Sequence, residues 1–195
     1  MEKQNKEKVV LLLNFKGGVG KTLIADELLY KLEKDKIPTS FINFDEQESA
    51  SHETCEPEGA LVKIVDTPGF LNDEFKDMIE EADFIIVPSM ISPSDQKPLE
   101  SMIEILEPYQ SSKEILFVFN GWDRCTYTRD FINYFNEAYP EIKTTILART
   151  TAFRDAKNYG MSLEDYSPSN PAVKQIDHIY SSVKYSFNLK DWRML

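Results

Sequence analysis

A short stretch of the chain, residues 14–22 (NFKGGVGKT), combines glycines with two lysines and a threonine. Glycines let a backbone wrap closely around phosphate oxygens, while a lysine and a hydroxyl can neutralise phosphate and bind Mg²⁺. The stretch ends in Gly-Lys-Thr (20–22), as a phosphate-binding P-loop does, but Phe15 stands where that pattern requires its first glycine. A second lysine, Lys16, lies inside the loop. The spacing therefore predicts a phosphate site with one more cation than a P-loop needs.

Two aspartates, Asp45 and Asp66, stand at the ends of β-rich runs at residues 39–44 and 60–66. Ligands of a parallel α/β sheet collect at the carboxyl ends of its strands, so both carboxylates are expected beside the glycine-rich loop. Asp66 is placed as a Walker B carboxylate, which binds Mg²⁺, often through water. A solvated loop aspartate is the ordinary alternative for Asp45, and only its expected position beside the loop favours a chemical role.

Short apolar runs alternate with longer amphipathic stretches along the chain. The apolar runs predict strands at residues 9–13, 39–44, 60–66, 83–88 (closed by Pro88), 114–120 and 144–149. The amphipathic stretches predict helices at residues 21–36, 74–82, 94–109 (capped by Ser94), 128–139 and 170–187. Strands that alternate with helices form a parallel sheet covered on both faces. We therefore expect an α/β fold, a single-domain, doubly wound, mostly parallel sheet flanked by helices, at residues 9–195, behind a polar extension at residues 1–8.

The composition is that of an ordinary soluble domain. The 195 residues suit one domain, and the formal net charge of −11 argues against a protein that coats DNA constitutively. No apolar run approaches the ~20 residues of a membrane span. The cysteines, Cys55 and Cys125, form no CxxC pair, so we expect a reducing cytoplasm. The histidines, His52 and His178, lack neighbouring ligands at metal spacing and are expected to be structural or exposed.

The loop and the third predicted strand resemble two motifs of one family. The segment KGGVGKT (16–22) resembles the deviant Walker A motif of the ParA/MinD family, the partition and positioning ATPases of bacteria and plasmids. Lys16 matches the signature lysine of that family. The segment KIVDTPG (63–69) resembles its Asp-x-Pro Walker B motif, which Asp66 and Pro68 match. The resemblance implies a P-loop NTPase of the deviant Walker A class.

The motif between these two is matched in part. The segment FINFDEQES (41–49) resembles the family pattern Asp-x-Asp-x-Gln, in which Asp45 and Gln47 match the last two members. Asn43 replaces the first aspartate. Only about twenty residues separate Asp45 from Asp66, fewer than the family usually has, so the surface that the longer segment supplies is expected to be reduced here.

Weaker likenesses follow in the family's order. They are the segments ADFIIVPSMISPSD (82–95), VFNGWD (118–123) and ARTTAFRDAKNYGMSLEDYSP (148–168). In the second of them, Asn120 matches an asparagine that lies near the nucleotide base in the family. The resemblance thus extends from the first predicted strand to the last helix.

The resemblance implies that the chain binds ATP and hydrolyses it to ADP and phosphate, with Mg²⁺ as cofactor. The nucleotide-binding residues would be Lys16, Gly17, Gly18, Val19, Gly20, Lys21, Thr22, Leu23 and Asn120, the metal residues Thr22 and Asp66, and the catalytic residues Lys16, Lys21 and Asp45. Asp45 would orient the attacking water. Lys16 would reach the nucleotide of the other subunit in a homodimer that sandwiches ATP. Turnover would be slow until a partner raises it.

The implied role is DNA partition, of a plasmid or a chromosome, with a ParB-like centromere-binding partner in the cytoplasm or at the nucleoid. Weak non-specific DNA binding is a further implication. Its candidate residues lie in the last third of the chain: Lys143, Arg149, Arg154, Lys157, Lys174 and Lys184. Ordinary solubilising charges are an equally good interpretation of these residues.

Other functions stay open. Residues 183–195 (VKYSFNLKDWRML) could form the amphipathic helix of a MinD-like membrane-cycling ATPase, although packing against the sheet is the favoured interpretation and a membrane partner is not expected. Residues 66–69 and 120–123 fit GTPase patterns except for one lysine, but Lys16 has no role in that scheme. A metabolic enzyme of the same fold is supported by no substrate motif, and a pure binding module would show no turnover.

Overall fold

Six parallel strands form one sheet in the part of the chain that the computed structural model describes, residues 6–44, 50–69 and 75–189. The strands are β1 (Lys8–Leu12), β2 (Thr39–Asn43), β3 (Val62–Asp66), β4 (Phe84–Met90), β5 (Glu114–Trp122) and β6 (Lys143–Ala148), in the spatial order β2-β3-β1-β4-β5-β6. All neighbouring pairs of these strands are parallel. The chain first adds strands on one side of β1 (β2 and β3) and then on the other side (β4, β5 and β6), so the strand order reverses between β1 and β4, as in a doubly wound fold. The predicted fold class is confirmed.

Two layers of helices cover the sheet. One face carries α1 (Lys21–Lys34), α5 (Ala152–Asn158), α6 (Leu163–Tyr166) and α7 (Pro171–Ser186), and the other carries α2 (Phe75–Glu81), α3 (Gln96–Leu106) and α4 (Thr126–Ala138). The central strand β1 shows why both faces need cover. Val10 and Leu12 pack in the hydrophobic core on the face covered by α1, Leu11 packs in the core on the opposite face, and all three are fully buried. An unbroken apolar run therefore becomes a strand that is buried on both faces.

The strand β4 continues through Pro88, so the prediction that this proline ends the strand is wrong. Ile86 O accepts a hydrogen bond from Leu13 N, and Pro88, two residues further on, faces the same side of the strand. The ladder between β1 and β4 has already ended at the pair Leu12 and Ile86. The missing N–H of Pro88 therefore costs no ladder hydrogen bond, and its carbonyl accepts from Asn14 Nδ2 at 2.7 Å.

Three details of the helices differ from the prediction. Ser94 does not cap α3, because Asp95 precedes that helix, and Ser94 Oγ instead accepts from Lys16 Nζ at 3.1 Å. The first helix ends at Lys34 rather than at residue 36, where the chain turns with a φ of 58°. The helices α5 and α6 were not predicted, because seven and four residues are too few to show a helical period.

The boundary of the polar extension stays a prediction, since residues 1–5 lie outside the described ranges. Lys8 already begins β1. Glu7 lies against the neighbouring part of the sheet, where its Oε1 accepts a hydrogen bond from Ser40 Oγ at 2.6 Å. The sheet and its contacts therefore begin slightly before residue 9.

Charged side chains join α1 to α6. Glu27 is 6% exposed and accepts a hydrogen bond from Leu163 N at 2.9 Å. Glu164 receives Lys31 Nζ at 2.7 Å on one oxygen and Lys34 Nζ at 2.9 Å on the other. Burial raises the pKa of Glu27 to about 7, against the opposite effects of the Leu163 hydrogen bond and the Lys31 charge. Ionising Glu27 therefore lowers the stability of the fold.

We expect Glu27→Gln to stabilise the protein at alkaline pH. The pKa of Glu27 is about 7 when folded and near 4.5 when unfolded, so its contribution to stability is lost as the pH rises through 7. The free energy of unfolding of the variant, relative to that of the wild type, should increase by about 2 kcal/mol between pH 5 and pH 8. Urea unfolding at both pH values measures this gain, and the exposed Glu58→Gln serves as control. A difference between variant and wild type that does not change with pH would contradict the assignment.

Candidate active site

The glycine-rich loop follows β1 directly, and Asn14 fixes the position of its first residues. Asn14 is 1% exposed. Its Nδ2 donates to Pro88 O at 2.7 Å, and its Oδ1 accepts from Lys16 N at 2.8 Å. The side chain thus ties the start of the loop to the end of β4. No role was predicted for Asn14, although a short amide directly behind a buried strand commonly makes such local hydrogen bonds.

Two glycines of the loop adopt a backbone conformation that other residues rarely take, with φ of 73° at Gly18 and 103° at Gly20. Gly20 leads directly into α1. The first N–H groups of a helix have no intrahelical acceptor, and together with the helix dipole they favour an anion at this end. Leu23 can offer only its backbone N–H, because its side chain packs against the core. The backbone of residues 16–23 is therefore suited to hold phosphate.

Thr22 and Asp66 meet at the first turn of α1, where Thr22 Oγ1 donates to Asp66 Oδ2 at 2.5 Å. Asp66 is fully buried at the end of β3, opposite Leu12 of β1 in the ladder. A hydroxyl and a carboxylate are hard oxygen donors of the kind that Mg²⁺ takes together with substrate phosphates. The donor set therefore fits Mg²⁺, with Thr22 and Asp66 as the residues that would hold it.

Lys21 and Gly69 complete the inner side of the loop. Lys21 is 5% exposed, and its Nζ donates to Lys16 O at 3.3 Å. A Cβ at Gly69 would lie 2.9 Å from both Cα and N of Gly17, so the turn after β3 touches the loop backbone and only glycine permits this approach. In the sequence, Gly69 ends both the Walker B-like segment KIVDTPG and the GTPase-like pattern, and neither predicted its contact with the loop. The ammonium of Lys21 is thus held where a β- or γ-phosphate on the loop would meet it.

The second lysine of the loop is bound at the end of another strand. Lys16 Nζ lies 2.7 Å from Asp95 Oδ1 and 3.1 Å from Ser94 Oγ, in the turn between β4 and α3. The Asp95 side chain is 5% exposed and also accepts from Ser92 Oγ, whereas the Lys16 side chain is 35% exposed. Asp95 was not predicted, since nothing local in the sequence connects it with Lys16. Lys16 therefore lies at the accessible rim of the loop, held by a carboxylate of its own subunit.

Asn120, near the end of β5, contacts the loop directly. Its Nδ2 donates to Val19 O at 2.9 Å, and its Oδ1 accepts from Gly121 N at 2.7 Å. The contact is close, because a Cβ at Gly20 would lie 2.3 Å from Asn120 Nδ2. The structure thus brings Asn120 to the phosphate-binding loop.

Asp123, which completes the GTPase-like pattern, is engaged at the start of α4. Its Oδ1 accepts from Cys125 N and from Thr128 Oγ1, each at 3.0 Å. Hydrogen bonds from Cys125 and then from Thr128 lower the pKa of Asp123. A carboxylate that recognises guanine must face the base, whereas Asp123 accepts hydrogen bonds from the start of α4. This arrangement weighs against GTP as the nucleotide.

Asp45 and Gln47 lie outside the described residues, and the role of Asp45 stays a prediction. Their described neighbours lie beside the site. Asn43 is opposite Asp66 in the ladder between β2 and β3, and Phe44 N donates to Asp66 O at 2.9 Å. The strand that leads to Asp45 therefore ends next to the candidate metal residues.

We expect Gly20→Ala to weaken ATP binding by about tenfold, or 1.4 kcal/mol. The added Cβ would displace Asn120 Nδ2 from Val19 O and strain a φ of +103°. Gly59→Ala is a matched control, since Gly59 also has a positive φ (+77°) but a Cβ there meets nothing within 4 Å. Titration with a fluorescent ATP analogue compares the two variants. Equal affinities would show that the contact between Gly20 and Asn120 does not matter.

Known proteins match this chain in sequence family and in fold. The family model of the CobQ/CobB/MinD/ParA nucleotide binding domain (CbiA) matches residues 10–183. No curated protein matches the sequence. Apo McdA from Cyanothece superimposes with a TM-score of 0.73 at 16% identity, over 92% of this chain and 99% of that chain.

Two further solved structures have the same fold. A ParA family ATPase from Chlorobium tepidum TLS gives a TM-score of 0.69 at 14% identity, over 91% of this chain and 98% of that chain. The septum site-determining protein MinD of Pyrococcus horikoshii OT3, complexed with Mg-ADP, gives 0.66 at 12% identity, over 91% and 96%. Because the family match covers most of the chain and the fold agrees with it, the chain belongs to the CobQ/CobB/MinD/ParA nucleotide-binding family.

Proposed function

We propose that the chain binds and hydrolyses ATP, forms a homodimer around the nucleotide, and drives DNA partition with a ParB-like centromere-binding partner. The observation that carries the proposal is the different placement of the two loop lysines. Lys21 is buried on the inner side of the loop, whereas Lys16 lies at its accessible rim. One subunit thus has the groups needed for Mg-nucleotide without Lys16. A second subunit is the natural place for Lys16 to act.

Hydrolysis transfers the γ-phosphoryl group of ATP to water: a bond forms from the water oxygen to phosphorus, and the bond to the β,γ-bridging oxygen breaks. Thr22 and Asp66 would hold Mg²⁺, which would supply neutralisation of phosphate charge when bound. Lys21 places a further cation on the same oxygens, and the loop N–H groups orient them. Asp45 orients the attacking water. Lys16 of the partner subunit neutralises charge in the transition state, so turnover depends on assembly and is slow in the single subunit.

Lys16 must leave Asp95 before it can serve a second subunit. The Lys16 side chain is 35% exposed, so solvent partly screens its ion pair with the buried Asp95. Asp95 also keeps its hydrogen bond from Ser92 when Lys16 departs. The ion pair therefore restrains Lys16 in the single subunit without blocking assembly.

A MinD-like membrane cycle is the second candidate, and the end of α7 bears on it. On the inner side of this helix, Ile176, Ile179 and Val183 are buried. Phe187 and Leu189, which follow the helix in the chain, pack against the same core. Residues 190–195 lie outside the described ranges. Among the described helices, none combines the length and the apolar character needed to cross a bilayer. The packing of Phe187 and Leu189 on the core supports partition over membrane cycling.

Direct contact of this chain with DNA is proposed to be weak. Lys143 Nζ lies 2.5 Å from Glu114 Oε2, and Lys184 Nζ lies 2.7 Å from Asp35 Oδ2. A lysine held by a carboxylate must exchange that partner before it can neutralise a phosphate. With a net charge of −11, the chain therefore needs the doubled contacts of a dimer to hold DNA.

We expect Lys21→Ala to abolish ATP binding, while Lys16→Ala binds ATP normally but hydrolyses it about tenfold more slowly or worse. Lys97→Ala removes an exposed lysine near the same turn and serves as the matched control. Steady-state phosphate release and ATP affinity are measured for each protein. Mixing the K16A and K21A proteins should restore part of the activity, because a K21A subunit still offers Lys16. Unchanged turnover in K16A would contradict the action of Lys16 in trans.

Co-sedimentation separates the two cellular roles. We expect the protein to sediment with double-stranded DNA in the presence of ATP at low salt, and to lose this binding steeply between 50 and 200 mM salt. Lys174→Ala should weaken DNA binding, and anionic lipid vesicles should retain no protein. Retention on vesicles without retention on DNA would instead support the membrane cycle.

A further inference from the structure

An apolar pocket of about 280 Å³ lies between α1 and α5. Its apolar lining comes from the side chains of Leu23, Tyr30, Phe153 and Met161. None of the loop residues 16–21 lines it, and Thr22, which does, directs its hydroxyl to Asp66 instead. The pocket is therefore separate from the backbone that is suited to hold phosphate. We call it the α1–α5 pocket.

The exposed charge at the α1–α5 pocket is positive, although the net charge of the whole chain is −11. Arg154 and Lys157 line the pocket, are exposed and stand three residues apart on α5, so they share one side of that helix. The two carboxylates of the lining, Asp26 and Glu27, are buried and accept hydrogen bonds from backbone N–H groups. The opening of the pocket therefore favours an occupant with negative charge.

The guanidinium of Arg154 can bind such an occupant with little loss. Arg154 Nε lies 3.9 Å from Asp155 Oδ1, and the Arg154 side chain is 76% exposed. An ion pair so long and so exposed contributes little, because solvent screens it. A carboxylate at the opening could instead accept the two parallel N–H hydrogen bonds that a guanidinium offers.

Large hydrophobic side chains are exposed in residues 159–166, which include Met161 of the pocket. Tyr159 and Tyr166 are exposed, and their rings stack with centroids 5.7 Å apart. Met161 is exposed as well. These eight residues thus carry three of the seven large hydrophobic side chains that are exposed in the described part of the chain. Such a local concentration of exposed apolar groups is typical of an interaction site.

We propose that the α1–α5 pocket binds a peptide segment of a protein partner, in which an apolar side chain stands next to a carboxylate. The apolar side chain enters the pocket, and the carboxylate pairs with Arg154 at its opening. A volume of about 280 Å³ suits one side chain and is below the roughly 300–1,000 Å³ of pockets that hold whole small molecules. DNA fits less well, because its phosphates gain nothing from an apolar lining. The inference does not depend on ATP hydrolysis.

The test measures binding of a fluorescent peptide, Glu-Glu-Phe-Glu-Glu, to the nucleotide-free protein by anisotropy. We expect Arg154→Ala and Met161→Glu each to weaken binding about tenfold, because the first removes the partner of the carboxylate and the second repels it. Arg129→Ala is the matched control, since it lowers the net charge by the same amount at an exposed position of α4, on the other face of the sheet. The peptides Lys-Lys-Phe-Lys-Lys and Glu-Glu-Ser-Glu-Glu should bind the wild type about tenfold more weakly or worse.

Two further measurements keep the outcomes distinct. Thermal unfolding shows that both variants are folded, as expected for changes at exposed positions. Peptide binding that is equal in the wild type and both variants, or that is absent from the wild type at about 1 mM peptide, would overturn the inference. A duplex DNA measured in the same way tests the other occupant: Arg154→Ala that weakens DNA binding but not peptide binding would assign Arg154 to DNA and overturn the peptide site. Phosphate release by the wild type tests the ATPase separately, so either proposal can fail alone.

Discussion

In-register pairing of three parallel strands is the constraint on which the site depends. Leu12 of β1 lies opposite Asp66 of β3 on one side and opposite Ile86 of β4 on the other. Three features therefore lie at the same edge of the sheet: the loop that follows β1, the carboxylate at the end of β3 and the turn that follows β4. A slip of one residue would turn Asp66 to the other face and separate it from Thr22. The burial of β1 on both faces opposes such a slip.

Features with strong local signals were predictable from the sequence. The glycine-rich loop between a strand and a helix, Asp66 and Asn120 all follow apolar runs, and the structure brings them together. Asp26 and Asp95 were not predictable, because a single acidic residue has no local pattern and its partners are distant in the chain. The prediction that Pro88 ends β4 was wrong for a related reason. Whether a proline ends a strand depends on which neighbouring strand would have paired with its N–H.

The net charge of −11 says little about where the cations lie. Several of them are used inside the fold to join helices. Lys31 contacts Glu164 and Asp177, and Lys184 contacts Asp35 at the far end of α1. These pairs bind α6 and α7 to α1 and remove positive charge from the surface. The composition gives the net charge, but the arrangement of charge follows from helix packing, which no count of residues contains.

The contacts of α1 have a mechanical consequence. Along its 14 residues, about 21 Å at 1.5 Å per residue, the helix carries Thr22 at the candidate metal position, Asp26 at the backbone of residues 51–52, Glu27 at α6 and Lys31 at α7. Together these side chains are bonded to four segments, namely β3, residues 51–52, α6 and α7. A helix resists compression, so a small axial movement at the phosphate end displaces all of these attachments together.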